Sequence, residues 1–240
     1  GYEWSIISAF FIFSELRLCM KVLALETANE QCSVSVIDDT QELFFQLDAR
    51  AKAQTQTILP MIEQGLQDLG LAIADLTAIA FSRGPGSFSG VRINAAVTQA
   101  LAWSNDVPVI PVSTLQALAQ AAYRLHGLTE VSAVLDARMS EVYIASYQVD
   151  AQGIMQPVDD EQLLSYAEGS QAVRFTPVGS GAELVQSETS IYKDVHATAQ
   201  DIASIARAAA QAENWVSAEL ALPVYLRDNA WKKIPEQGKA

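Results

Sequence analysis

The chain has 240 residues, 50% hydrophobic and 18% charged, which excludes a disordered chain and supplies a core for one large domain or two small ones. Its 28 acidic and 15 basic residues give a net charge of −13, making it a poor nucleic-acid binder alone, because phosphate neutralisation needs clustered Lys and Arg. Two cysteines and two histidines exclude a disulfide framework and a Cys/His zinc cluster, and fit a reducing, cytoplasmic setting.

Residues Gly1 to Cys19 carry an apolar run, Ile6 to Phe13, of about eight residues. A membrane helix needs roughly 20, and Glu3 in place of a basic start fits no secretory signal. Residues 1–19 are expected to be a non-native or upstream leader, with Met20 as the natural start. Three strands follow, Val22–Glu26, Cys32–Ile37 and Leu43–Leu47, separated by turn formers. The gaps are too short for crossover helices, so the spacing predicts an antiparallel meander. Ile58, Ile62, Leu66 and Leu69 recur at helical spacing and predict a helix over Thr55–Leu69, stopped by Gly70, with Pro60 near its start. Leu76–Ser82 reads as a buried strand, Arg83–Gly90 as a loop and Val91–Trp103 as a helix. A strand, Val107–Val112, leads to a helix with a capping box of Ser113 and Gln116 and a stop at Gly127.

The pattern then restarts with strands Ser132–Leu135 and Val142–Tyr147, a strand or turn near Ile154–Val158, and a strand Arg174–Val178. Gly179-Ser-Gly181 opens a short helix, and Thr198 with Asp201 caps an alanine-rich helix reaching about Val216. Pro223–Arg227 reads as extended. Nine acids and two bases lie between 150 and 201, which reads as a solvated acidic surface and not a substrate site. The element order predicts an α/β chain of two topologically related lobes. Residues 20–128 form the expected N-terminal lobe, 129–228 the C-terminal lobe and 229–240 a tail, with the 198–216 helix able to pack back on the first lobe.

The sharpest motif is Ser82-Arg-Gly-Pro-Gly-Ser-Phe-Ser-Gly-Val-Arg92, between a strand and a helix. It lacks the Gly-Lys-Ser/Thr of a Walker loop and the spacing of a dinucleotide fingerprint. Two readings stay open: a tight crossover that positions the helix, or a phosphate cradle of free N–H groups. The following helix is apolar nearly all round, with Val91, Ile93, Val97, Leu101 and Trp103 among Ala95, Ala96, Ala100 and Ala102. Such a helix needs cover on more than one side. The expected partner surface comprises Ile58, Met61 and Ile62 of one helix with Val91, Ile93, Ala96, Val97, Ala100 and Trp103 of the other. Cover by other helices of the same chain is the competing reading.

Several motifs carry a resemblance: Leu23-Ala-Leu-Glu-Thr-Ala28, Ile58-Leu-Pro-Met61, Arg83–Arg92, Asp136-Ala-Arg-Met139 with Glu141-Val-Tyr143, and Pro223-Val-Tyr-Leu-Arg227 with Trp231-Lys-Lys233. In that order, from Met20 to about Lys233, the chain resembles the bacterial TsaB (YeaZ) family. The resemblance implies the two-lobed actin/hexokinase/Hsp70-like (ribonuclease H-like) fold, each lobe a mixed sheet with helices. It implies a non-catalytic scaffold subunit in making N6-threonylcarbamoyladenosine in tRNAs that read codons beginning with A. The implied partners are the catalytic homologue TsaD, the ATPase TsaE, a second copy when alone, and tRNA only through the complex; no membrane is involved.

TsaD-type catalysts hold a metal on a His-x-x-x-His helix, whereas the corresponding stretch here, Ala51 to Thr57, has no histidine. His126 and His196 read as surface residues. No Gly-x-Ser-x-Gly or His-Glu-x-x-His motif occurs, so peptidase chemistry is not expected. No cofactor is required. The competing reading is a nucleotide-dependent phosphotransferase or ATPase that takes Mg-ATP or ADP through Glu26, Gly84, Gly86, Ser87, Asp136, Gly179 and Gly181. The aromatic and basic cluster Tyr225, Arg227, Trp231, Lys232 and Lys233 reads as a contact for a partner or tRNA, or as a docked tail.

Overall fold

The computed structural model describes residues 19–50, 53–186 and 191–227. The expected leader (Cys19 apart), the 229–240 tail and Trp231, Lys232 and Lys233 lie outside the described residues. Strands β1 (Val22–Glu26), β2 (Cys32–Ile37) and β3 (Glu42–Asp48) form the expected antiparallel meander. Strands β4 (Ala78–Ser82) and β5 (Val109–Val112) add parallel to it, giving the order β3-β2-β1-β4-β5.

The second sheet repeats this plan. Strands β6 (Glu130–Asp136) and β7 (Glu141–Val149) are antiparallel, and β10 (Thr176–Val178) lies parallel beside β6, as β4 lies beside β1. The third strand is split: β8 (Met155–Pro157) pairs the far end of β7 and β9 (Gln162–Ser165) the near end. Among the described residues the helices are α1 (Gln54–Leu69), α2 (Phe88–Ser104), α3 (Thr114–His126), α4 (Tyr166–Ala172), α5 (Ala182–Val185) and α6 (Ala199–Gln211). Among the described residues no helix is long and apolar enough to cross a membrane.

Residue alternation decides what covers each face of the first sheet. Leu23, Leu25, Ile79 and Phe81 point toward α1 and α2. Val22, Ala24, Ala78 and Ala80 point toward α6. That second face is built from small residues, and α6 meets it with Ala199, Ala203 and Ala206, so helix and sheet approach closely. Helix α3 does the reverse: Leu115, Leu118, Ala119 and Ala122 pack with Val131 and Ala133 of the second sheet. Each half therefore lends a helix to the other sheet. The two helices also meet through Arg124, whose Nε and Nη2 donate to the Asp201 carboxylate at 2.8 and 3.0 Å.

The ends of elements follow their local chemistry, with corrections. Gly70 and Gly127 stop α1 and α3 in the left-handed conformation, at φ 64° and 67°. Thr198 and Asp201 form a complete capping box, but α6 stops at Gln211, not Val216, because Glu213 turns left-handed (φ 53°). Val216 is instead extended and bridges Val109. The Ser113 box is only half formed: Ser113 Oγ accepts from Gln116 N, while the Gln116 side chain donates to the Met155 carbonyl. Pro60 stands seventh in α1, inside the helix rather than near its start, where it has no N–H to offer the Gln56 carbonyl. Strand β9 and helix α4 were not expected, although the spacing Ser165-x-x-Glu168 that caps α4 is a readable signal.

The acidic stretch 150–201 is not a uniformly solvated surface. Asp201 is buried, and Glu161 receives the Arg83 guanidinium through two contacts of 3.2 Å and the Ser113 hydroxyl. Asp159 accepts from Ser146 N and pairs with Arg174. Burial pushes the Asp201 carboxyl up, against the pull of the Arg124 guanidinium and the Thr198 amide.

Candidate functional site

The lobes enclose a cleft of about 1370 Å³, floored by the ends of β1 and β6 and the glycine loop. Of the residues expected at a nucleotide, Glu26, Gly86, Ser87 and Asp136 line it. Gly84, Gly179 and Gly181 do not line it, and Ser180, between the last two, does. A Cβ on Gly179, which sits at φ 107°, would come 2.4 Å from the Val134 carbonyl oxygen, so the glycine seats this turn on β6. Sequence reasoning missed the other walls: Arg92, Arg138, Tyr143, His196, Tyr225 and Arg227. They come from four separate stretches, and no spacing in the chain announces their meeting.

The glycine loop is tied inward. Ser87 N donates to the Ala28 carbonyl (3.2 Å), Gly90 N to Ser87 Oγ (3.2 Å) and Val91 N to the Ser87 carbonyl (2.9 Å). The Pro85 carbonyl accepts from the Thr114 hydroxyl, and the Gly84 carbonyl from Thr114 N. Gly90 lies against β1, where Thr27 Oγ1 donates to its carbonyl and an added Cβ would fall 2.1 Å from the Thr27 oxygen. Gly90→Ala is therefore expected to lower stability by about 3 kcal/mol, since backbone must move to admit the methyl group; urea unfolding measures it.

Glu26 turns its carboxyl into the junction of β1, β4 and α2. Oε1 accepts from Ala28 N (2.5 Å) and from the Ser82 hydroxyl (2.8 Å), and Asn94 Nδ2 in turn donates to Ser82 Oγ (2.6 Å). Burial pushes its pKa from 4.5 up to about 7, more than the Ala28 amide and Ser82 hydroxyl pull it down. A raised carboxyl pKa means that the folded state holds a proton the unfolded chain releases. The stabilisation is complete below pH 4.5, fades as pH rises and is gone above about 7. Glu26→Gln is expected to remove this slope, worth at most about 3 kcal/mol between pH 4.5 and 8; paired urea titrations across that range read it.

A magnesium-bound nucleotide fits these residues poorly. Oε1 of Glu26 is engaged, and burial raises its carboxyl pKa to about 7, which disfavours the anion that a metal-bound nucleotide would need. Asp136 Oδ1 accepts from Arg138 N at 2.9 Å. The loop amides at Ser87, Gly90 and Val91 serve the chain itself. Among the described residues no cluster of three His, Cys, Asp or Glu side chains could hold a metal ion.

The expected partner surface is only partly available. Ile58, Met61 and Ile62 are buried in the chain's own core with Leu25, Ile79 and Phe81, on the sheet-facing side of their helix, and Val91 is buried against the glycine loop at Gly84 and Gly86. Ile93 and Val97 are half-buried against the same core. Ala96 and Ala100 are exposed, and Trp103 is 69% exposed. The turn Ala218–Leu220 covers one flank of α2, with Gln99 Nε2 donating to the Glu219 carbonyl. The apolar outer face of α2 thus remains uncovered along Ala96, Ala100 and Trp103.

Duplicated sheets of order 3-2-1-4, each a meander with a parallel fourth strand, and a cleft between them define the actin/hexokinase/Hsp70-like class. A family model described as TsaD, tRNA N6-adenosine threonylcarbamoyltransferase, matches residues 49–222. The tRNA threonylcarbamoyladenosine biosynthesis protein TsaB of Escherichia coli K12 is 40% identical over 230 residues, covering 90% of this chain and 99% of its own. The protein of the same name from Haemophilus influenzae is 33% identical over 241 residues, covering 90% and 98%. The solved structure of YeaZ from Pseudomonas aeruginosa superposes with a TM-score of 0.77 at 36% identity, covering 86% of this chain and all of that one. The chain belongs to the TsaB (YeaZ) family.

Proposed function

We propose that this chain takes part in making N6-threonylcarbamoyladenosine in tRNAs reading codons that begin with A, as a cytoplasmic, non-catalytic scaffold. It binds the catalytic homologue TsaD through the outer face of α2 and holds it in its active arrangement. TsaE joins the pair, and tRNA enters only through the complex. Alone, the chain pairs with a second copy through the same face. The observation that carries this reading is the uncovered apolar side of α2, with Trp103 69% exposed. Large exposed aromatics beside small residues mark protein contacts in chains with an otherwise complete core. The charge of −13 argues against unaided tRNA binding.

The competing reading, a phosphotransferase or ATPase, rests on Glu26 and Asp136 facing one cleft. The hydrogen bonds that already engage Glu26 Oε1 and Asp136 Oδ1 weigh against it. Calorimetry with Mg-ATP separates the two, and incubation with tRNA and the threonylcarbamoyl donor tests the scaffold reading itself: the purified chain is expected to transfer nothing, and transfer is expected once TsaD and TsaE are added. Turnover by the chain alone, or micromolar Mg-ATP binding lost in Glu26→Ala, would overturn the scaffold reading.

A further inference from the structure

After α6 the chain runs along a path that touches β5, α2, the glycine loop and the cleft in turn. Val216 exchanges two backbone bonds of 2.9 Å with Val109. The turn Ala218–Leu220 then leans on α2, and Ala218 and Ala221 sink into the core that holds Ala95 and Ala102. Val224 N donates to the Arg83 carbonyl at 2.7 Å, and the Val224 carbonyl lies against Gly84. Tyr225 and Arg227 form part of the cleft wall. Arg227 ends the path on the second lobe: Nη1 donates to Glu141 Oε1 at 2.5 Å and Nη2 to the Ala137 carbonyl at 3.1 Å. The turn it grips places three successive non-glycine residues, Arg138, Met139 and Ser140, at φ 63°, 54° and 60°. Left-handed backbone is disfavoured for such residues, and they hold this shape only when the surroundings enforce it.

We propose that residues 216–227 form a strap that couples the outer face of α2 to the cleft, so that a subunit docked on α2 fixes the strap and, through Arg227, the 137–141 turn. This rests on the reading of α2 as the docking face. The coupling has a physical source. Leu220, in the turn that leans on α2, is 55% exposed, and Leu222, two residues further along the strap, is 53% exposed; both hold these places only while the strap is seated. A partner that covers them together with Trp103 binds the seated state better than the released one, and only such a difference can shift the equilibrium. The lobes themselves stay joined either way, through Arg83–Glu161 and Arg124–Asp201. Strap release therefore opens the cleft wall without separating the lobes.

Hydrogen exchange on the full chain tests this, for wild type, Arg227→Ala and the milder Glu141→Gln, each with and without purified TsaD. In the free protein, Arg227→Ala is expected to speed exchange of the Val224, Ala137 and Glu141 amides about tenfold, the loss of one charge-assisted anchor. Glu141→Gln is expected to do the same to a smaller extent, and α6 amides are expected to stay unchanged in both. Adding TsaD is expected to slow exchange across 218–227 in wild type and less so in Arg227→Ala. An unchanged Val224 amide in Arg227→Ala would overturn the proposal, as would protection by TsaD confined to α2. Absence of protection on α2 itself would refute the docking reading, and is a different outcome from protection on α2 with none on the strap.

Discussion

Ala96→Glu abolishes co-purification with TsaD while leaving the fold intact; this is the expected result with the largest effect on function. Ala96 is exposed on the outer face of α2, so a glutamate there is hydrated in the free protein. Alanine to glutamate at an exposed helical site changes stability by about 0.5 kcal/mol or less. In a packed interface the same carboxylate loses its water and faces apolar side chains. The penalty is about 3 kcal/mol or more, a hundredfold weaker complex. Calorimetric titration with TsaD measures the loss, and thermal unfolding verifies that the variant is folded. Val97→Glu is the poorer test, because Val97 packs on the core beneath α2 and its replacement unfolds the helix as well. Wild-type affinity in Ala96→Glu would remove α2 from the interface.

Arg124→Met destabilises the chain by about 3 kcal/mol, the largest effect expected of a single side chain outside the hydrophobic core. Asp201 is buried between α3 and α6, and Arg124 meets it with two bonds. Without the guanidinium the carboxylate keeps the Thr198 amide at 2.9 Å and little else. Its pKa then rises further, because burial is no longer opposed by the cation. The sign follows: a carboxyl raised in the folded state gives stability at low pH that is lost as pH rises. The deficit of Arg124→Met relative to wild type is therefore expected to be smaller near pH 5 than near pH 8. Adding Asp201→Asn is expected to recover part of it, since the amide keeps the cap without a charge. Urea unfolding of the single and double variants at both pH values measures these differences. An equal deficit at both would place Asp201 outside the effect.

How much of this was legible in the chain depended on the range of the interaction. The β1–β3 meander, α1, α3 and the caps at Gly70, Gly127 and Thr198 follow from residues within a few positions of each other. The end of α6 did not, because the alanine run continues to Ala212 and only a left-handed Glu213 stops it. Strand β9 is short and polar at its start, and it exists because β7 offers an unpaired edge next to it. For the cleft, Glu26, Gly86, Ser87 and Asp136 were visible as strand ends and loop residues, but Arg92, Tyr143, His196, Tyr225 and Arg227 arrive from distant stretches. The interface list erred by treating whole apolar helices as available. Ile58, Met61 and Ile62 are apolar for the sheet and Val91 for the glycine loop, and only Ala96, Ala100 and Trp103 of that list stay exposed.

By itself the amino-acid sequence determined the two-lobed α/β plan, the family, and which strand faces are large and which small, because alternation and helical spacing are properties of adjacent residues. Only the tertiary structure decided that α3 and α6 cross to the opposite sheets, that Asp201 and Glu161 bind the lobes instead of facing water, and that the 216–227 segment joins α2 to the cleft. Those outcomes depend on which surfaces meet after folding. Their partners stand 39 and 168 positions apart in hydrogen bonds such as Gln116–Met155 and Asn29–Ala197, beyond the reach of any local pattern.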